Sequence, residues 1–217
     1  MKTISFDILK SLLNRPLPGE KVHWAMWPRG HKDEGEEAVY PASTMVLIYE
    51  EKDRLYFPLI RRSDRKDDPH RKQIGLPGGH HEGNESYLET ALRETEEEIG
   101  VRLFPQEIAG KLSPLTVKRS GFVIHPFVAY TRRKIAFHPD PSEVEEIIPI
   151  TFEELINHDD NQTFRLENGW EVPGFLFTHV NVWGATAMIL NELKYLIADF
   201  LASTRDPLLV FPQKNRC

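Results

Sequence analysis

The stretch from Leu76 to Val101 reads LPGGHHEGNESYLETALRETEEEIGV, a glycine-rich loop followed by a charged run of helical period. Glu85 to Ile99 reads as a helix, and Gly100 is the residue that stops it. Advancing about 100° per residue from Glu94 puts Glu97 and Glu98 on either side of it. Leu88, Ala91, Leu92, Thr95 and Ile99 gather on the opposite flank, so one face is core and the other is carboxylate. Like charges at i and i+4 destabilise a helix. A divalent cation reverses that sign, because Mg²⁺ and Mn²⁺ prefer oxygen ligands and share them with substrate phosphates. Arg93 lies one turn before Glu97 and is placed to orient it. The preceding glycines let the backbone turn tightly and present amides or carbonyls to an ion or a phosphate. A solvated helix face carries the same kind of charge run, so charge alone leaves both readings open.

Outward from this element, Thr44 to Tyr49 and Leu55 to Ile60 are apolar, partly β-branched runs separated by Glu50, Glu51, Lys52 and Asp53, the pattern of a hairpin. From Arg61 to Lys72 basic residues alternate with Asp64, Asp67 and Asp68, a polar excursion from the strands. Leu112 to Val117, Phe122 to Tyr130 and Val144 to Ile150 read as further strands, with a short helix at Phe152 to Ile156. Val182 to Leu201 is helical by period, with Ile189, Leu193, Leu196, Ile197 and Phe200 on one face. Residues 3–13 form a short packing helix stopped by Pro16 and Pro18, and residues 28–42 a loop leading into the core. Strands, a loop and helix, more strands and a closing helix define an α/β fold, a mixed β-sheet packed between helices. The division expected is residues 1–40 as N-terminal helix and lead-in loop, 41–202 as the domain proper, and 203–217 as a tail.

Composition narrows the function classes. The chain carries 27 Lys and Arg against 33 Asp and Glu, a formal net charge of -6, which gives no footprint for duplex nucleic acid. Cys217 is the sole cysteine, so a single chain can build neither a disulfide framework nor a thiolate metal site. Asp7, Lys10 and Asn14 interrupt the N-terminal apolar residues before a secretory core forms, and no run approaches a membrane span of roughly 18 to 20 residues. The expectation is a cytoplasmic protein with a small-molecule partner and no membrane partner.

Taken whole, Gly79, five residues, Glu85, seven residues, then Arg93-Glu94-Thr95-Glu96-Glu97-Glu98-Ile99-Gly100-Val101 resembles the Nudix box at every charged and glycine position. Thr95 stands where an aliphatic residue is usual. The resemblance implies the Nudix α/β/α sandwich and hydrolysis, dependent on Mg²⁺ or Mn²⁺, of a nucleoside diphosphate linked to another moiety. It also implies Glu94, Glu97 and Glu98 as metal ligands, with Glu85 a further ligand or supporting residue and the Gly79 carbonyl a common participant. Glu85 points away from Glu94 on the wheel, so a direct role requires the helix to begin after it. For the general base, the motif points to Glu97, while Glu143 or Glu146 on a neighbouring loop is the alternative.

The flanks point to a substrate. Arg62-Ser63 is followed thirteen residues later by Leu76-Pro77-Gly78-Gly79, which resembles the added motif of the coenzyme A diphosphatase subfamily. Ile60, Asp64, Asp68, Lys72 and Leu76 depart from that motif. Ser120-Gly121-Phe122 with Pro126-Phe127, Glu143-Val144, and Val182 to Ala187 resemble the same subfamily in the same order. This implies cleavage of coenzyme A to 3',5'-ADP and 4'-phosphopantetheine, with Arg62 first, then Arg61 and Arg71, as candidates for holding substrate phosphate. The alternatives are a Nudix hydrolase for ADP-ribose or another nucleoside diphosphate derivative, and a non-catalytic nucleotide-sensing module, which would be expected to lose box glutamates that this chain retains. His80 and His81 read as solvent-exposed loop residues, and Trp183 and Phe127 as core.

Overall fold

The strand β1 (Tyr40–Glu51) is buried on both faces through its centre, which is why Met45 to Tyr49 reads as a continuous apolar run rather than an alternation. It appears in a computed structural model that describes residues 4–28, 39–65, 71–159, 162–166 and 169–203. The loop expected over residues 28–42 lies largely outside these residues, as does the expected tail beyond Ser203. β1 turns into β2 (Arg54–Arg62) through Lys52 and Asp53 at φ 51° and 61°. Two successive left-handed residues are what a two-residue hairpin turn requires. The strands therefore run longer than the sequence runs suggested, with Glu51 paired to Arg54 and Tyr49 to Tyr56.

Two short strands come next in the chain. These are β3 (Ile74–Gly75), on β2, and β4 (Gly78–His80), on the first half of β1. The helix α3 (Tyr87–Ile99) has two other helices before it in the chain, α1 (Phe6–Leu13) and α2 (Glu20–His23). Then follow β5 (Ile108–Lys111), β6 (Leu115–Val117) and β7 (Phe122–Thr131), the last parallel to β1 from Tyr40↔Phe122 to Tyr49↔Thr131. β8 (Val144–Thr151) pairs antiparallel with β2 and leads into α4 (Phe152–Ile156). Together β1 to β8 form one eight-stranded mixed sheet. Two small ribbons follow, β9 (Thr163–Arg165) with β10 (Glu171–Pro173) and β11 (Phe175–Leu176) with β12 (Asn181–Val182), before α5 (Gly184–Ser203). The sequence reading did not separate these ribbons, whose strands are two or three residues long.

Strand alternation sorts the core into two layers. Met45, Leu47 and Ile60 pack with Ala91 and Ile99 of α3. Val46, Ile48, Phe57 and Leu59 pack on the opposite face with Leu9 and Leu12 of α1 and Leu193 and Ile197 of α5. The result is the expected α/β/α arrangement, a mixed sheet between helices.

α5 departs from the reading in two ways. It begins at Gly184, because Val182 belongs to β12, and Trp183 is 37% exposed rather than core. It is also buried on its polar side, where the N-terminal segment crosses it. There Glu192 accepts hydrogen bonds from Gly19 N at 3.0 Å, His23 Nε2 at 3.1 Å, Ser113 N at 3.0 Å and Ser113 Oγ at 2.6 Å. Burial pushes the Glu192 carboxyl up, but the bonds from His23, Ser113 and Gly19 outweigh it and hold the group below the ordinary carboxylate range.

Candidate metal and active site

The carboxylate helix is delimited by its own residues. The Ser86 hydroxyl accepts from Glu89 N while the Glu89 carboxylate accepts from Ser86 N at 2.6 Å, a reciprocal cap. Gly100 ends the helix at φ 69°. α3 thus starts two residues later than the sequence suggested, and Glu85 lies in the loop ahead of it.

Glu94 and Glu98, four residues apart, face β4. Glu98 is 1% exposed, and both of its carboxylate oxygens are held. Gly78 N donates to Oε2 at 2.8 Å and Arg62 Nη1 to Oε1 at 3.0 Å. Burial pushes the Glu98 carboxyl up to about 8, against the opposing pull of Gly78 N–H and Arg62, and with added push from Glu94 and Glu143. Burial likewise raises Glu94, although Arg93 Nη1 donates to it at 2.8 Å.

The two glycines of β4 are needed for close approach. A Cβ on Gly79 would lie 2.5 Å from the Glu94 carboxyl carbon, and one on Gly78 2.3 Å from the Ser43 carbonyl oxygen. Glu143, on the turn before β8, completes the cluster. One carboxylate oxygen each from Glu94, Glu98 and Glu143 lie within 4.8 Å of one another. Carboxylates at that spacing repel one another, and a hard divalent cation is a ligand that would relieve the repulsion. An all-oxygen donor set suits Mg²⁺ or Mn²⁺.

Two of the residues that the box implies as ligands stand outside this cluster. Glu97 is exposed, Glu85 lies ahead of α3, and both carboxylates pair with Arg93, as Glu94 does. Arg93 donates from Nε and Nη2 to the two oxygens of Glu85 at 3.1 and 2.9 Å, from Nη1 to Glu97 at 2.9 Å, and from Nη2 to the His80 carbonyl at 3.0 Å. This pairing holds Glu85 at about 2. The start of α3 after Glu85 meets the condition for a direct role, and in this arrangement Glu85 accepts from Arg93, Glu82 N and the Thr90 hydroxyl. Glu94 and Glu98 are the helix carboxylates that meet β4, while Glu97 lies on the flank beside Arg93.

The three arginines named as phosphate candidates each face a carboxylate of the chain. Arg62 is directed at Glu98, Arg61 pairs with Glu146 at 3.0 Å, and Arg71 sits 3.9 Å from Asp64, which Lys72 binds at 2.8 Å. Lys66, Asp67 and Asp68 lie outside the described residues. His80 is exposed as expected, whereas His81 is half-buried with Nδ1 3.1 Å from the Thr90 hydroxyl. Phe127 packs against the α3 core layer. Ser63, singled out in the sequence only as part of the Arg62-Ser63 motif and given no role there, bonds the turn that carries Glu143: Ser63 N donates to the Glu143 carbonyl at 2.9 Å and Ser63 Oγ to the Ser142 carbonyl at 2.7 Å.

A capped helix brings two carboxylates against a glycine pair of a mixed sheet and a third comes from the turn before β8, an arrangement in an α/β/α fold that could hold a divalent cation. Residues 39–167 match the NUDIX domain model, and the chain belongs to the Nudix hydrolase family, a family of pyrophosphohydrolases. It is 32% identical over 145 residues to the Nudix hydrolase NudL of Yersinia enterocolitica, covering 62% of this chain and 70% of that one. It is 31% identical over 151 residues to NudL of Pectobacterium atrosepticum, covering 65% and 75%. Among solved structures it is similar to a MutT/nudix family protein from Enterococcus faecalis, with 21% identity, a TM-score of 0.49, and coverage of 98% of this chain and 79% of that one. Among the described residues no helix is long and apolar enough to cross a membrane.

Proposed function

We propose that the protein hydrolyses the diphosphate bond of coenzyme A or an acyl derivative, releasing 3',5'-ADP and (acyl-)4'-phosphopantetheine. The observation that carries the reaction class is the convergence of Glu94, Glu98 and Glu143 beside Gly79 in a Nudix domain. The coenzyme A reading rests on the subfamily-like segments that recur in order from Arg62-Ser63 to Val182–Ala187.

Glu94 and Glu98 are the residues that would hold the cation, with Gly79 leaving room for the Glu94 carboxylate. A bound Mg²⁺ or Mn²⁺ would supply positive charge against the diphosphate and make water a better nucleophile at neutral pH. Glu143 takes the proton of the attacking water, because it is the cluster carboxylate carried on a turn rather than on α3. Glu97, bound to Arg93 and exposed, supports that arginine instead. Arg93 fixes Glu94 by holding Glu85 and the His80 carbonyl at the same time. At the rim Arg71 has a long, exposed pairing with Asp64, which is weak enough to yield to a substrate phosphate.

The test is hydrolysis of coenzyme A beside ADP-ribose, with and without Mg²⁺ or Mn²⁺, and products identified by mass. Metal-dependent formation of 3',5'-ADP and 4'-phosphopantetheine in preference to cleavage of ADP-ribose is the expected result. A preference for ADP-ribose overturns the substrate, and nucleotide binding with no metal-dependent product overturns the enzyme.

A further inference from the structure

We infer that the Arg62-Ser63 dipeptide is a strut of the cation site, a pair of positioning residues that sets Glu98 from one side and Glu143 from the other, rather than a clamp for substrate phosphate. The inference rests on the reading of Glu94, Glu98 and Glu143 as the cation site and does not depend on which diphosphate is cut.

The argument begins with strand alternation. In β2 Ile60 belongs to the core layer under α3 and Leu59 to the opposite layer. Two residues after Ile60, Arg62 projects to the α3 side, and Arg61 projects away from it, to Glu146. The Arg62 main chain is fixed on its far side, with its N–H donating to Gln73 O at 3.0 Å and its carbonyl accepting from Lys72 N at 3.1 Å. From that fixed point its guanidinium meets Glu98 Oε1 at 3.0 Å, opposite the Gly78 N–H on Oε2. A carboxylate held at both oxygens is restricted in rotation, and one of its oxygens stays within 4.8 Å of oxygens of Glu94 and Glu143.

Ser63 continues the strut. β2 and β8 pair in register up to Arg61↔Glu146, but Arg62 pairs with Val144, so Glu145 is bulged out. The bulge turns the end of β8 toward β2, where Ser63 takes the Glu143 and Ser142 carbonyls. Asp140 N in turn donates to the Glu98 carbonyl at 3.1 Å, closing a ring from β2 through the Glu143 turn to α3. Groups that orient a metal ligand from behind typically change metal affinity by about 10–100-fold when removed.

The test is Mn²⁺ binding by calorimetry without nucleotide, on the full chain and its Arg62→Met, Ser63→Ala and Arg61→Met variants, followed by KM and kcat on the best diphosphate substrate. Removal of a guanidinium charge would by itself tighten a cation site, so weaker binding in Arg62→Met identifies lost positioning. We expect Arg62→Met to weaken Mn²⁺ by about tenfold or more, with kcat lowered and KM for the nucleotide little changed. Arg61→Met, whose guanidinium meets Glu146 on the other face, should leave Mn²⁺ binding unaltered. Ser63→Ala leaves every charge in place and should weaken Mn²⁺ about threefold, which reads the strut even if Arg62→Met fails to fold. Unchanged or tighter Mn²⁺ binding in Arg62→Met, or in Ser63→Ala should Arg62→Met not fold, overturns the inference, as does a rise confined to KM. If instead the wild-type chain binds no Mn²⁺, it is the cation site itself that fails, and the strut with it.

Discussion

Glu98→Gln is the substitution in which the site's electrostatics and its hydrogen bonding can be separated. In the metal-free chain the folded state raises the Glu98 carboxyl to about 8, while an unfolded chain returns it to an ordinary 4.5. The group therefore prefers to be neutral when folded. Its contribution to stability is fully present below about 4.5 and is lost as the pH rises toward 8, the reverse of a salt-bridged carboxylate. At full extent that loss is on the order of 3–5 kcal/mol. Glutamine cannot ionise, so the metal-free variant should lack this slope.

The variant carries a cost of its own. Gly78 N–H and Arg62 both donate to Glu98, and an amide offers one acceptor oxygen, which leaves one donor facing an NH₂ group at about 1–3 kcal/mol. At pH 8 the lost stability outweighs the cost, whereas at pH 5 the cost is the larger of the two. Urea denaturation of metal-free protein should therefore show the wild type the more stable at pH 5 and the variant the more stable at pH 8. Mn²⁺ at 100 times its dissociation constant should stabilise the wild type by about 2.7 kcal/mol and the variant by far less. Metal-dependent hydrolysis should fall by about a thousandfold or more. Parallel pH profiles of stability together with an undiminished Mn²⁺ effect in Glu98→Gln would falsify this account of the site.

Three further outcomes follow from the geometry. Gly79→Ala puts a methyl group 2.5 Å from the Glu94 carboxyl, so it should displace that ligand and weaken Mn²⁺ while leaving the far-UV circular dichroism intact; unaltered Mn²⁺ affinity would count against Glu94. Glu143→Gln should lower kcat by about 10²–10⁴-fold, and Glu97→Gln by far less, since Glu97 is exposed and bound to Arg93; the reverse order in steady-state kinetics would make Glu97 the base. Glu192→Ala strands the donors of His23, Ser113 and Gly19 in a buried place and should cost about 3–5 kcal/mol by urea denaturation. Because the Glu192 carboxyl is held low, the stability it contributes at neutral pH should disappear only as the pH falls below about 4.5, and the Ala variant should lack that acid-side loss.

Much of this molecule is local and therefore readable along the chain. The capped helix, its glycine stop, the β1–β2 hairpin and the segment Phe152–Ile156 depend on residues a few positions apart. The box spacing likewise carried Glu94 and Glu98, since 3.6 residues per turn puts the two on one face whatever surrounds them. What the chain could not announce depended on distant partners. Arg93 reaches Glu97 and Glu85 within one short segment, but Arg62 meets Glu98 only because β2 lies beside α3. Trp183 looked like core because an aromatic is usually buried, but the break between β12 and α5 leaves it at the surface.

By itself the sequence determined the secondary elements around the loop and helix of residues 76–101, the mixed α/β class and the carboxylate face, because periodicity and capping act within a few residues. Tertiary structure alone decided which carboxylates meet. Glu143 joins Glu94 and Glu98 only because β8 pairs with β2 and bulges at Glu145, bringing together groups more than forty residues apart. The same pairing buries Glu98 and turns an ordinary glutamate into one that holds its proton to about 8. Burial and dielectric are properties of the assembled sheet and helix, and no spacing in the chain encodes them directly.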